Sequence, residues 1–431
     1  MILRPPFLLT TVGSWCLVFL AAFEAMAVTT VMPQITADLN GRDLYAVAFS
    51  AALAAGVVGM VGFGSWADRR GPTVPLLVSI VVFAAGLIVA GTASSMPVFV
   101  AGRFLQGLGA GGDTVALYVL VAAVYPTELH IKIFGAFAGA WVIPSMVGPF
   151  VAGLVATALS WHWVFLGVVL LVAIATIMVL PSVRGRDKPP ADRTPMAAAD
   201  WRRLARAVVV AVSVVAVSSY PIVLVVAGFA LVGLLPKGTY RAKPGLPASV
   251  LLVGVAAGIY YGTDVYLPLL LQERYGLPTW LSGITLTTGA LAWAGASAIQ
   301  ARLADRVDPG ASVRLGAVLL ASGAAVELVT VILHLSPFVA AAGWLVAGAG
   351  MGTLFPRIST LVLAYSKPGE EGFNTGAKSI TDAVGGSASL AVAGLLFSAA
   401  PFVGPFAFTT LLGLAAILIS RRVMAPVPVA V

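Results

Sequence analysis

Gly64-Ser65-Trp66-Ala67-Asp68-Arg69-Arg70-Gly71-Pro72 is a knot of charge and turn residues pinned between two long apolar runs. A weaker echo returns at Ala301-Arg302-Leu303-Ala304-Asp305-Arg306-Val307. Each knot follows the second long apolar run of its half of the chain. Each carries an Asp-Arg pair that a hydrocarbon interior would reject at ~2.5–3.5 kcal/mol per charge. Both knots therefore belong at the water boundary of a membrane, on one side of it. Gly64 and Gly71 permit close helix approach and a tight turn, and Asp68 is placed to accept hydrogen bonds at a neighbouring helix N-terminus. We read Gly64, Asp68, Arg69 and Gly71, with Asp305 and Arg306, as conformational latches between helices.

Working outward, hydrophobic residues make up 60% of the chain and charged residues 10%, against ~25% charged in soluble domains. With a mean hydropathy of +1.01 and repeated apolar runs of ~20 residues, the chain reads as an all-α polytopic membrane protein. Strand-like alternation is missing, which excludes a β-barrel. The first 27 residues imitate a signal peptide, with Arg4, an apolar core and Ala25-Met26-Ala27, but Glu24 lies inside the supposed apolar region. Cys16 is the single cysteine, and His130, His162 and His334 are too scattered for a metal site, so neither a disulfide nor a metal or other cofactor is expected.

The net charge of +8 could suggest nucleic acid, but its distribution decides otherwise. With the N-terminus inside, 21 of the 25 Lys and Arg residues fall in inner segments, and only Arg42 and Arg274 fall outside. The positive-inside rule then places both termini in the cytoplasm of a cell (inner) membrane protein, and no basic patch is left for nucleic acid.

Spans are predicted at about 12–31, 46–66, 74–91, 98–125, 133–159 and, after the interfacial anchor Trp161-His162-Trp163, 164–180, and again at about 247–271, 280–299, 312–334, 338–365, 377–397 and 402–419. Residues 1–181 and 247–431 thus form two six-helix bundles, joined by 182–246. That joint holds a Pro- and Arg-rich linker and two short apolar runs, about 204–217 and 221–235. Basic clusters flank the pair on both sides, which favours a transmembrane hairpin, for fourteen spans; the alternative is twelve spans plus a re-entrant or interfacial hairpin. Repeated halves of this kind are a transporter signature, with the substrate site near mid-membrane.

At this point the residues carry a family resemblance. The Asp68 knot resembles the loop motif G-x-x-x-D-R-x-G of the major facilitator superfamily, and Arg103-x-x-Gln106-Gly107-x-Gly109 resembles its fourth-helix motif. Glu24 through Pro33 is similar to the first-helix motif of drug–proton antiporters, although Glu stands where Asp is more usual. Pro144 precedes Gly148-Pro149-x-x-x-Gly153, which is similar to the antiporter helix-packing motif. Leu269-Leu270-Leu271-Gln272, with Gly276 and Gly283, is similar to the fourteen-span drug–proton antiporters. The resemblance implies two six-helix bundles and proton-coupled exchange in which Glu24 and Arg103 take part.

Ionisable residues inside the spans are the functional candidates. Glu24 and Arg103 lie ~10–15 Å deep at 1.5 Å per residue and could pair. Asp113, on a neighbouring face of the Arg103 helix, is a second proton-coupling candidate or a substrate contact. Asp264 with Tyr260, Tyr261 and Tyr266 would suit a lipophilic cation, and Gln106 is counted with these substrate contacts. Arg357 and Asp382 lie at similar depth and are read as a gating ion pair. Glu327 is expected to be protonated or locally satisfied.

No phosphate-binding Gly-x-x-x-x-Gly-Lys loop and no nucleophile–His constellation is found, so the chain is not read as an enzyme. The reading that fits best is a monomeric secondary transporter that exports small lipophilic or cationic compounds in exchange for protons by alternating access. The alternatives are an exporter of an endogenous metabolite or lipid, and a transport-inactive scaffold or sensor on the same fold.

Overall fold

The computed structural model describes residues 7–183, 195–217, 220–303, 306–367 and 370–424. Regular structure among them is helical throughout, because in hydrocarbon a lone segment satisfies its backbone only by coiling on itself. Two compact units emerge, Met1–Val212 with Pro278–Gly283, and Ser213–Leu277 with Ile284–Val431.

The first unit contains α1 (Leu8–Asp38), α2 (Tyr45–Arg70), α3 (Thr73–Gly91), α4 (Met96–Val124), α5 (Thr127–Ala158) and α6 (His162–Val183). Within it α4 packs on α2 and α3, while α1 packs on α5 and α6. Close approach of α4 is written into alternate glycines. A Cβ on Gly107 would meet Ala52 O at 1.9 Å and one on Gly111 would meet Gly56 O at 2.2 Å, both on α2, while one on Gly109 would meet Phe83 N of α3 at 2.4 Å.

The second unit contains α9 (Leu246–Glu273), most of α10 (Thr279–Arg302), α11 (Pro309–Ile332), α12 (Pro337–Ala364), α13 (Glu371–Ala399) and α14 (Val403–Ser420). It repeats the device of the first. In α12 a Cβ on Gly348 or Gly352 would stand 2.1 Å from Gly289 O or 2.2 Å from Trp293 O of α10, and one on Gly350 would stand 2.4 Å from Leu320 N of α11. Proline stands in the first turn of α4, α9, α11 and α12, and Asp308 accepts a 2.7 Å bond from Ala311 N ahead of α11.

Eleven helices among the described residues are long and apolar enough to cross a membrane. The predicted span 280–299 is present as the 24-residue α10 but is not one of the eleven, since Thr285, Thr287, Thr288 and Gln300 make it less apolar. The central pair consists of α7 (Ala198–Ala216) and α8 (Val223–Leu231). With nine residues, α8 reaches about 14 Å at 1.5 Å per residue, short of a ~30 Å core. The 19-residue α7 reaches about 28 Å, close to that thickness, so of the pair α8 alone falls short.

Candidate functional site

Glu24 stands in the middle of α1, and Arg103 lies about two turns into α4. Arg103 Nη1 donates to Glu24 Oε1 and to Gln106 Oε1, the latter on the same helix one turn on. The three side chains are 5%, 4% and 1% exposed for Arg103, Glu24 and Gln106. Gln106, expected to touch substrate, is instead sealed inside this cluster. Its position three residues from Arg103 keeps both on one face of α4, where one guanidinium nitrogen reaches both acceptors.

Satisfaction is incomplete. Arg103 Nε and Gln106 Nε2 are buried without a hydrogen-bond partner. A half-satisfied polar cluster in low dielectric is energetically stressed, and removing the charge of one member rearranges the rest.

Asp113 is 7% exposed and borders a cavity of about 140 Å³ within the first unit. Asp264, on α9, is 8% exposed. Of the three tyrosines grouped with it, Tyr260 and Tyr261 stay in its field, and Asp382 acts on the Tyr261 phenol as well. Tyr260 is packed against the rings of Trp344 at 4.7 Å and Trp293 at 5.0 Å, and Tyr266 is 1% exposed against Phe397 at 5.1 Å. Tyr260, one turn before Asp264 on the same face of α9, thus also packs into the core, and Tyr266 packs away from the carboxylate against Phe397.

The predicted Arg357–Asp382 pair does not form. Arg357 Nη2 reaches toward the carbonyls of Leu303 and Val307, at 3.5 and 3.4 Å, while Asp382 is faced by Lys378, one turn earlier on α13. Lys378 Nζ also sits 3.9 Å from the Phe355 ring centroid. The four-residue spacing of Lys378 from Asp382 inside an apolar run is the sequence signal for this contact. Glu327 is fully buried with neither carboxyl oxygen hydrogen-bonded, so the locally satisfied reading does not hold.

At the knot, Gly71 takes φ 97° and ends α2, and Gly64 leaves 3.0 Å between a built Cβ and Val115 of α4. Asp68 is exposed. Arg69 pairs with Asp200 at the start of α7 and donates to Pro195 O at 2.8 Å. Arg69 thereby ties α2 to the linker helix, whose Asp200 also accepts from Ala197 N at 3.1 Å. No spacing rule could have linked residues 131 positions apart. Asp305 lies outside the described residues, and Arg306 is exposed.

We expect Asp68→Asn, and to a smaller extent Asp200→Asn, to lower the transport rate several-fold with little change in half-saturation, because an exposed knot at the end of α2 modulates helix movement rather than contacting substrate. Initial rates at saturating and limiting substrate measure this. Wild-type turnover in both variants would remove the latch assignment.

Pro144 and Pro149 lie inside α5, where Gly148 faces Phe23 and Met26 of α1 at 3.5 and 3.7 Å from a built Cβ. Gly153 lies against the Trp280 backbone of the first unit, 2.7 Å from a built Cβ to Trp280 Cα. These are packing contacts. Among the described residues no cluster of His, Cys, Asp and Glu could hold a metal.

Comparison with known proteins gives a consistent result. The family profile described as Major Facilitator Superfamily matches residues 14–341. A probable multidrug-efflux transporter of Mycobacterium tuberculosis is 26% identical over 407 residues, covering 89% of this chain and 86% of the relative. The multidrug transporter protein MdtP of Bacillus subtilis is 24% identical over 404 residues, covering 88% of this chain and 73% of the relative. In fold, the chain is similar to the human organic anion transporter MFSD10, with a TM-score of 0.67 at 16% identity, covering 97% of this chain and 100% of that one. It is also similar to a POT family transporter solved with 5-aminolevulinic acid, with a TM-score of 0.69 at 14% identity, covering 95% and 94%.

Proposed function

Since the chain belongs to the major facilitator superfamily and is a multi-pass membrane transporter rather than an enzyme, we propose that it is a proton-coupled antiporter exporting small lipophilic or cationic compounds by alternating access. The observation that carries this reading is the Glu24–Arg103–Gln106 cluster, a carboxylate and a guanidinium buried together in the membrane-spanning part of the first unit with polar atoms left unsatisfied. Efflux relatives of similar length support the direction of transport. The excess of basic residues in the segments between predicted spans supports cytoplasmic termini.

A proton bound by Glu24 removes the attraction that holds Arg103, so protonated and deprotonated forms favour different helix arrangements. Substrate and proton then exchange because each is bound by one arrangement and released by the other. The reading is tested with purified protein in proteoliposomes under an imposed pH gradient. Substrate should accumulate against its own gradient toward the acidic compartment, and a protonophore should abolish accumulation. Equal substrate distribution with the gradient intact would overturn proton coupling.

A further inference from the structure

Asp113 differs from the other buried acids in what surrounds it. Asp113 makes no hydrogen bond or ion pair with any described residue, and its Oδ1 is buried without a partner. The cavity it borders is an open cleft lined by aromatic rings from two helices, the partly exposed Tyr118 of α4 and Phe134 and Trp141 of α5 and the buried Phe137 of α5, with Val18 and Ala21 of α1 on another side. Phe134, Phe137 and Trp141 recur at helical spacing on one face of α5. Across from them, Tyr118 meets Phe134 at 5.2 Å with planes at 84° and lies nearly parallel to Phe137 at 6.4 Å.

We propose that this cavity is a subsite for the cationic head of a small organic ammonium, with Asp113 as its counter-ion and Tyr118, Phe134, Phe137 and Trp141 as its cage. The chemistry follows from three features. A carboxylate in low dielectric without a protein cation attracts one from outside. Ring faces stabilise alkylated ammonium groups, which carry their charge on apolar surface and need no hydrogen-bond donors. The volume of about 140 Å³ is that of roughly five water molecules at ~30 Å³ each, enough for a small ammonium head.

Glu24 does not offer the same site, because Arg103 already occupies it and would compete with any incoming cation. The two acids buried within the spans of the first unit therefore divide the work: Glu24 exchanges a proton against Arg103, and Asp113 holds the cation. The proposal rests on the export reading for its purpose, but not for its test.

The test is equilibrium binding of benzyltrimethylammonium to the full chain in lipid nanodiscs, by calorimetry and by the fluorescence of its tryptophans, with no gradient applied. The neutral carbon analogue, neopentylbenzene, is the reference ligand. Wild type should bind the cation in preference to the analogue. Asp113→Asn should weaken the cation on the order of 30-fold or more and leave the analogue unchanged, and Trp141→Leu and Phe137→Leu should each weaken it several-fold with Asp113 in place. The proposal is overturned if wild type does not bind the cation, binds both ligands alike, or keeps its cation affinity in Asp113→Asn. If Asp113→Asn does not yield folded protein, the two ring variants decide: an unchanged preference for the cation in both overturns the cage. A wild type whose Asp113-dependent binding is intact, but which accumulates nothing under a pH gradient, refutes the antiport reading and leaves the subsite standing.

Discussion

Glu24→Gln is expected to abolish uphill export driven by a pH gradient while leaving downhill exchange in place. The amide has the shape of the protonated acid and carries no charge, so it holds the chain in the form that does not attract Arg103. Coupling requires that the proton affinity of Glu24 differ between two conformations by about tenfold or more, ~1.4 kcal/mol, and an amide has no proton affinity to differ. The loss should therefore be complete in accumulation and small in exchange of labelled for unlabelled substrate. Arg103→Ala should be worse than Glu24→Gln, because it leaves Glu24 buried without its guanidinium partner, a change that costs ~3–5 kcal/mol in comparable buried pairs. Transport by the two variants under an imposed gradient, beside their thermal midpoints, separates lost coupling from lost folding. Full accumulation by Glu24→Gln would move coupling to another acid.

The second large effect is expected at Gly107. Gly107→Val places a Cβ 1.9 Å from Ala52 O and 2.7 Å from Ala52 Cα. Both are backbone atoms, so no side chain can swing aside, and α2 and α4 must separate by more than an ångström. Leaving glycine for a residue with a side chain gains up to ~1 kcal/mol of helix propensity, but overpacking costs ~1–3 kcal/mol even where side chains can adjust. The clash therefore wins, and it also displaces Arg103, one turn earlier on the same helix. We expect a large loss of folded protein and a thermal midpoint well below wild type by fluorescence-detected size exclusion. Gly139→Ala on α5, where nothing lies within 4 Å of a built Cβ, should be neutral. A Gly107→Val protein with the wild-type midpoint would show that the α2–α4 contact is not tight.

The sequence made the membrane class, the spans and the repeated halves legible, because apolar runs of the hydrocarbon length leave little freedom of interpretation. It also brought Glu24 and Arg103 together, since similar depth and opposite charge left few alternatives. The same argument failed for Arg357 and Asp382. Depth fixes how far along its helix a residue lies but not which way it faces, and Asp382 faces Lys378 on its own helix instead. The partner of Arg69 was out of reach for another reason: Asp200 sits in the linker, and no periodicity connects it to α2. Aromatic residues misled in a related way. Tyr260, Tyr261 and Tyr266 are near Asp264 in sequence yet point mostly into packing, whereas the rings around Asp113 come largely from α5 and become neighbours only when α5 packs beside α4 and α1. Coupled glycines show the opposite case, in which Gly107, Gly109 and Gly111 and their counterparts Gly348, Gly350 and Gly352 could be read as packing surfaces once the helices were placed.

Proton-coupled exchange through Glu24 is tested most directly by following protons while substrate runs downhill. Proteoliposomes loaded with an internal pH dye receive a substrate gradient and no initial pH gradient. Wild type should move protons opposite to the substrate, changing internal pH with the time course of substrate flux, and Glu24→Gln should carry substrate with no change in internal pH. Substrate flux in wild type without any proton movement, or proton movement that persists in Glu24→Gln, would contradict it.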